Sequence, residues 1–401
     1  MSSKLMPNYN RFDLAFARGE RAWLITEEGR RYLDFGAGVA VASLGHGHPA
    51  LKKALQDQME RVMHVSNLYR IPEGEALAKT LTDNSFADAV LFCNSGAEAN
   101  EGLVKVMRRA QYCEGHPERT DIICFKGAFH GRTLGMITAT GNPHYQEGFG
   151  EPVAGFIHVP FNDLEAVKGA ITPQTAGILL EPIQGESGIT PATTAFLQGL
   201  RQLCDENGIY LGIDEVQTGI GRTGKLFAHE HAGIKPDILS CAKGLGGGFP
   251  VGAVLARQAL ARHLTPGTHG NTFGGNPMAC RAGSAVLETI LAPGELERIT
   301  KVGTAFGAML EKLVASHPQV FTEVRGQGLM RGLKCIPPVA EVLKAVMDEG
   351  LLAVGAGNNV LRLVPPLIVT EEDCREATRR LAQAANVLER HMATATQPQN
   401  A

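Results

Sequence analysis

The apolar positions in the middle of the chain fall into two alternating kinds of segment. Residues 89–93, 121–125, 155–159, 177–180, 209–213, 238–241 and 251–255 are short, mostly unbroken apolar runs. A strand with two apolar faces is covered on both sides, so these runs predict a largely parallel seven-stranded sheet. Helical patterning lies between several of them, clearest over 193–207. Strand and helix in alternation predict an α/β layered domain. Ligands of such sheets bind beyond the carboxyl ends of the strands.

After Asn276 the pattern changes. Leu296, Ile299, Gly303, Phe306, Leu310 and Leu313 recur at helical spacing and predict a long amphipathic helix. A strand-like stretch over 320–334, a helix over 339–349, a strand over 361–364 and a final helix over 371–392 follow. The reading divides the chain into an N-terminal segment, 1–60, a large domain, 61–285, and a smaller α+β domain, 286–392. The polar tail 393–401 is expected to be disordered.

Composition narrows the class without naming a chemistry. The 401 residues are 44% apolar and 20% charged, with a net charge of −3. That balance gives no electrostatic reason to expect nucleic acid or an acidic membrane surface as partner. No C-x-x-C pair occurs among the eight cysteines, and Cys93, Cys124, Cys204, Cys241 and Cys280 sit among apolar or small residues, as core positions do. No metal-ligand spacing is present. The N-terminus lacks an apolar signal region and no long apolar run occurs, so a cytoplasmic protein in a reducing compartment is expected.

Chemistry enters at Asp237-Ile-Leu-Ser-Cys-Ala-Lys243-Gly-Leu-Gly-Gly-Gly. A lysine ends an apolar strand and runs into a glycine-rich turn. Desolvation lowers a lysine's pKa and frees the neutral amine that a carbonyl cofactor needs. Alone, Lys243 reads better as a surface residue of a βα loop. The segment Gly208-Ile-Tyr-Leu-Gly-Ile-Asp214-Glu215-Val216-Gln217 changes that balance, because it places an acid at the end of a second apolar strand. A lysine and a buried aspartate together suit pyridoxal 5'-phosphate, one group for its carbonyl carbon and one for its ring nitrogen.

Three further segments are informative only in company. Cys93-Asn-Ser95-Gly96-Ala97-Glu98 is a strand running into a helix start, where backbone N–H groups hold phosphate, although taken alone an ordinary Ser95 cap explains it better. In Phe129-His-Gly-Arg132 the ring suits stacking and the guanidinium suits a carboxylate, while a core Phe and a surface Arg explain both equally. Gly219-Ile-Gly221-Arg-Thr-Gly224-Lys225 resembles a nucleotide loop, but Leu226 replaces the magnesium-binding hydroxyl, and Ser240-Cys241-Ala242 offers no acid where a dinucleotide fingerprint needs one. It reads as a turn-rich loop.

In this order, Asn-Ser-Gly-Ala-Glu-Ala, Phe-His-Gly-Arg, Glu-Pro-Ile-Gln-Gly-Glu, Asp-Glu-Val-Gln-Thr-Gly, Lys-Gly and Gly-Asn-Thr-Phe-Gly-Gly-Asn-Pro resemble the class III (subgroup II) aminotransferases of fold type I. The resemblance runs from Leu33-Asp-Phe to Leu361-Arg362. It implies pyridoxal phosphate as cofactor. Lys243 would carry it covalently and move the substrate proton, Asp214 would protonate the ring nitrogen, and Gln217 would bond the phenolic oxygen. Phe129 would stack on the ring, with Glu215 and Val216 also at the cofactor. Ser95, Gly96 and Ala97 would hold the phosphate. Thr272 would reach the phosphate of a neighbouring subunit, making the active unit a homodimer. Arg132 would bind the carboxylate of the distal-amine substrate and Arg362 that of glutamate or 2-oxoglutarate. Glu186 would cover Arg362 when the other substrate is bound.

Within the class, Val65-Ser-Asn-Leu-Tyr69 and the compact length resemble the members that act on N2-acetylornithine in arginine biosynthesis. Val39 stands where ornithine-specific members place a tyrosine. The departure is Asn271, where Ser or Thr is usual and where the family contacts substrate. The expectation is amino transfer from N2-acetylornithine to 2-oxoglutarate. Succinylornithine, succinyl-diaminopimelate, ornithine and 4-aminobutyrate are the rival donors. Glutamate-1-semialdehyde aminomutase and a non-catalytic binder are rivals of other classes, disfavoured by the Glu186/Arg362 pair and by Lys243 with Asp214.

Overall fold

The computed structural model describes residues 4–395. Seven strands form the central sheet in the order Ala89–Cys93, Gly252–Ala256, Ile238–Cys241, Tyr210–Asp214, Thr175–Leu180, Asp121–Phe125 and Phe156–Val159. All run parallel except Gly252–Ala256, which is antiparallel to both neighbours. Its reversal follows from chain length: only the turn at 242–251 connects it to Ile238–Cys241, too short for a crossover helix.

Helix Gly96–Cys113 covers one face of the sheet, burying Leu103, Met107 and Ala110 beside Ile122 and Val254. Helix Thr194–Asn207 covers the other, with Leu200 and Leu203 against Ile178 and Ile213. Unbroken apolar strands make sense only between two such layers. Thr193 accepts from Phe196 N and starts the second helix; Gly208, at φ +61°, ends it.

The C-terminal part holds an antiparallel sheet ordered Phe321–Gln327, Met330–Cys335, Val360–Leu363 and Val354–Ala356. Helices Glu295–Ser316 and Glu371–Ala395 lie with it. The last helix therefore extends past residue 392, correcting the expected tail boundary, and the remainder of that tail lies outside the described residues.

The N-terminal segment is not separate. Its strand Arg31–Asp34 pairs in parallel with Leu351–Leu352, Leu33 opposite Leu351. One core also spans the expected boundary at 285, joining Phe35, Leu239, Leu255, Val286, Phe306 and Leu333. Sequence patterning reports periodicity along a segment, and it carries no information on which distant segment completes a sheet.

Candidate active site

The carboxyl ends of the parallel strands open into one cavity of about 250 Å³. It is lined by Gly96, Ala97, Phe129, Arg132, Asp214, Val216, Gln217 and Lys243, and also by Asn100, His130, Gly131 and Glu181. Eight of the sequence candidates thus share a single space. They come from four separate loops, each beginning where a sheet strand ends.

Asp214 ends its strand 3% exposed. Its Oδ1 accepts from Val216 N at 2.9 Å. Its Oδ2 accepts from Asn100 Nδ2 at 2.7 Å and pairs with His130 Nδ1 at 2.8 Å. Three donors fix the carboxylate and leave acceptor capacity on Oδ1 for a further N–H. His130 is fully enclosed. Burial opposes its positive charge, but the bond to Asp214 and the charges of Asp214 and Glu181 outweigh that, so its pKa is raised. Its Nε2 is buried with no hydrogen-bond partner among the described residues.

Lys243 opens the turn after Ile238–Cys241 with φ +41°, a left-handed conformation rare for a side-chain-bearing residue. Such strain persists only where the surroundings enforce it. Ser43 Oγ donates to Gly244 O at 2.7 Å, and Ser43 in turn follows a second left-handed run, Ala37, Gly38, Val39 and Ala40. The Lys243 ammonium makes no hydrogen bond or ion pair among the described residues. Its pKa is lowered, first by burial and next by the Arg362 charge, against opposing charges on Glu186, Asp214 and Glu181.

At the start of helix Gly96–Cys113, Ser95 Oγ accepts from Glu98 N and Ser95 O from Ala99 N. The amides of Gly96 and Ala97 have no partner among the described residues, and both residues line the cavity. Two free N–H groups at the positive end of a helix make an anion cradle. A Cβ on Gly96 would lie 2.7 Å from Val216 Cγ1, so glycine is what lets the two loops meet.

Arg362, 1% exposed, donates from Nη1 to Glu186 Oε1 at 2.6 Å and to Gln217 Oε1 at 3.1 Å. Its Nε is buried without a hydrogen-bond partner among the described residues. The guanidinium is thus held against Gln217 and capped by an acid that is itself partly exposed. Arg132 lies at the cavity lip, its Cζ 3.6 Å from the Tyr145 ring centroid and 5.5 Å from that of Phe129.

Glu215, Asn271 and Thr272 lie outside the cavity lining. Glu215 does not line the cavity: fully buried, it accepts from Thr218 Oγ1, Ala228 N and His229 N, and so anchors the 228–232 turn. Backbone alternation turns it away from Asp214. Asn271 spends its amide on Phe92 O and on Gly274 N within its own loop. Thr272, beside it, is exposed and does not line this cavity. Asn100, His130 and Glu181 also line the cavity, and no sequence motif singles them out. His130 had only the signal of standing between the two chosen residues Phe129 and Arg132. Asn100 and Glu181 look like a helix surface position and a strand end until the strands are set side by side.

Gly219–Gly224 forms tight turns, with Gly221 at φ +86° and Gly224 at φ +95°. Between them the buried Arg222 donates to Leu329 O and Pro365 O, and burial pulls its pKa to about 9. The segment is a structural tie to the C-terminal part.

The cavity's donor set fits pyridoxal phosphate: free helix-start amides for a phosphate, an open acceptor on Asp214 for a ring N–H, and the uncommitted amine of Lys243. Phe129 and Val216 supply apolar wall. The family profile described as Aminotransferase class-III matches residues 5–385. The chain is 55% identical over 380 residues to acetylornithine aminotransferase 1 of Bradyrhizobium diazoefficiens, covering 95% of this chain and 94% of that one. It is 54% identical to acetylornithine aminotransferase of Brucella melitensis, covering 96% and 95%. Among solved structures it is similar to N-acetylornithine aminotransferase of Stenotrophomonas maltophilia, with TM-score 0.84 and 35% identity over 96% of this chain and 98% of that one. Ornithine aminotransferase of Toxoplasma gondii gives TM-score 0.92 at 31% identity, covering 97% and 93%.

Proposed function

The chain belongs to the class-III aminotransferases, and from that premise we propose that it moves the distal amino group of N2-acetylornithine to 2-oxoglutarate, yielding N-acetylglutamate 5-semialdehyde and glutamate. The observation that carries the substrate is the 55% identity, along nearly the whole chain, with an acetylornithine enzyme. The higher TM-score to an ornithine enzyme reflects backbone shape. Substrate choice rests on a few side chains, so sequence identity weighs more here.

The class uses pyridoxal 5'-phosphate, which supplies a protonated ring able to take up the electron pair left when a substrate C–H proton departs. Gly96 and Ala97 would hold its phosphate, with Ser95 shaping the helix start. Asp214 would keep the ring nitrogen protonated, itself oriented by Asn100, His130 and the Val216 amide. Lys243, with its lowered pKa, would accept and return the substrate proton. Gln217 and Phe129 would fix the ring's edge and face.

Two different acids must use one site in turn. Arg362 would bind the α-carboxylate of glutamate or 2-oxoglutarate when Glu186 swings off. With Glu186 on Arg362, the longer substrate would place its carboxylate at Arg132. The Arg362–Glu186 contact supports this reading.

The homodimer belongs to the same proposal. Thr272 and Phe273 are exposed beside exposed Leu68 and Tyr69, and Asn67 ties the two segments by donating to Gly274 O. An apolar surface of this kind suits a second copy, whose phosphate Thr272 would reach. Among the described residues no helix is long and apolar enough to cross a membrane. A cytoplasmic location is the accompanying proposal.

Rapid-mixing absorbance of the PLP-loaded protein with acetylornithine, succinylornithine, ornithine and 4-aminobutyrate tests the substrate. By the family resemblance Val39 stands at the substrate, where it offers no hydroxyl to a free α-ammonium; it lines a cavity other than that of Lys243. An unpaired charge there disfavours ornithine, so acetylornithine should lead by about two orders of magnitude in kcat/KM. Succinylornithine should rank second. Ornithine or 4-aminobutyrate reacting fastest would defeat the proposal.

A further inference from the structure

Asp214 and Glu181 are neighbours by register. Strands Thr175–Leu180 and Tyr210–Asp214 run parallel with Leu180 opposite Ile213. The next residue of each chain segment, Glu181 and Asp214, therefore reaches the same level at the carboxyl end of the sheet, and both line the cavity. Glu181 is 6% exposed and Asp214 3%. Two carboxylates side by side in such surroundings do not both ionise readily.

Their partners differ. Asp214 receives Asn100 Nδ2, Val216 N and His130 Nδ1. Glu181 receives one donor, Phe129 N, on Oε2 at 3.0 Å. Its Oε1 makes no hydrogen bond among the described residues, and no Lys, Arg or His forms an ion pair with it there. The charge belongs where the donors are.

We propose that Glu181 stands in the site as a neutral carboxylic acid, a positioning residue that presents a hydrogen-bond donor to the cavity and withholds a second negative charge from Lys243. This rests on the cavity being the cofactor site. The charged and titratable groups around Glu181 are His130, Asp214 and Lys243, with Arg132 at the lip and the Arg362–Glu186 pair beyond Gln217. The carboxyl's pKa is raised to about 8, first by burial, with the Asp214 charge adding to it and His130, the Phe129 amide and Lys243 opposing. An ionised Glu181 would favour the ammonium form of Lys243. The neutral acid leaves the amine free. It also leaves Asp214 as the anion facing a cationic ring.

The test uses the cofactor-free chain, so it reads the proton and not turnover. With the folded-state pKa above the unfolded one, the folded form holds the extra proton from the ordinary carboxylate range up to about 8. Stability from this group is full at low pH and falls as pH rises through that window. Denaturant unfolding across the window should show the wild type binding about one more proton on folding than Glu181→Gln, which mimics the neutral acid. Equal pH slopes in the two proteins would overturn the proposal. If the Gln variant does not fold, Glu181→Asp keeps a titrating carboxyl one methylene shorter, and its midpoint should shift; an unmoved midpoint overturns it equally. Failure of the cofactor reading would register separately, as wild type that gives no borohydride-stable PLP label on Lys243.

Discussion

Arg362 Nη1 lies 2.6 Å from Glu186 Oε1 and 3.1 Å from Gln217 Oε1, so one buried guanidinium joins a partly exposed acid to a residue that lines the Lys243 cavity. Glu186 is the looser partner, about a third exposed on its side chain, while Arg362 is almost wholly enclosed. Leaving Arg362 uncovered exposes a buried cation that seeks a carboxylate.

Removing the cover should therefore favour α-carboxylate substrates. Glu186→Ala should speed the glutamate half-reaction relative to the acetylornithine half-reaction by about tenfold or more, the equivalent of about 1.4 kcal/mol. Single-turnover absorbance with each donor measures that ratio. An unchanged ratio would remove Glu186 from the selection of substrates.

Lys243 should be the residue trapped by borohydride reduction of the PLP-loaded protein, read by peptide mapping. Lys243→Ala should retain weak PLP binding through the helix start and lose about 10²–10⁴-fold or more in turnover. The pH dependence has a definite sign. Because burial lowers the lysine's pKa, its amine becomes free at a lower pH than an ordinary lysine's. The rate of PLP uptake by the cofactor-free chain should rise with pH through that lowered midpoint. A midpoint at the ordinary lysine value would contradict the buried setting.

Asp214→Asn keeps the shape and removes the charge that would hold the ring proton. Its kcat should fall by orders of magnitude with little change in KM, the pattern of a lost transition-state interaction. Steady-state kinetics on both substrates decides it, and near-normal kcat would withdraw Asp214 from its role.

Gly131 tests the packing under the cavity. At φ +139° its added Cβ would come within 2.6 Å of Ala97 Cβ and 2.9 Å of Ala97 Cα, at the helix start proposed to hold the phosphate. Gly131→Ala should lower stability by about 1–3 kcal/mol through overpacking, and weaken PLP binding with it. Thermal unfolding and fluorescence titration with PLP measure the two effects. Unaltered stability would mean that the loop has room to yield.

Local sequence determined a good part of this protein. Continuous apolar runs marked the seven strands within a residue or two, because a strand buried on both faces cannot hide that pattern. Lys243 and Asp214 were legible because each sits where an apolar run stops and a turn begins. The antiparallel direction of Gly252–Ala256, the pairing of Arg31–Asp34 with Leu351–Leu352, and the core shared across residue 285 came from contacts between distant segments. No local periodicity encodes those. The same division holds within the site. Tertiary structure turned Glu215 away to the 228–232 turn and tied Asn271 to Phe92 and to Gly274 of its own loop. It also brought Asn100, His130 and Glu181 to Asp214 and Phe129. A side chain's chemical type is written in the sequence, but its partners are set by strand register and by the direction each residue faces, and those are fixed only when the whole sheet assembles.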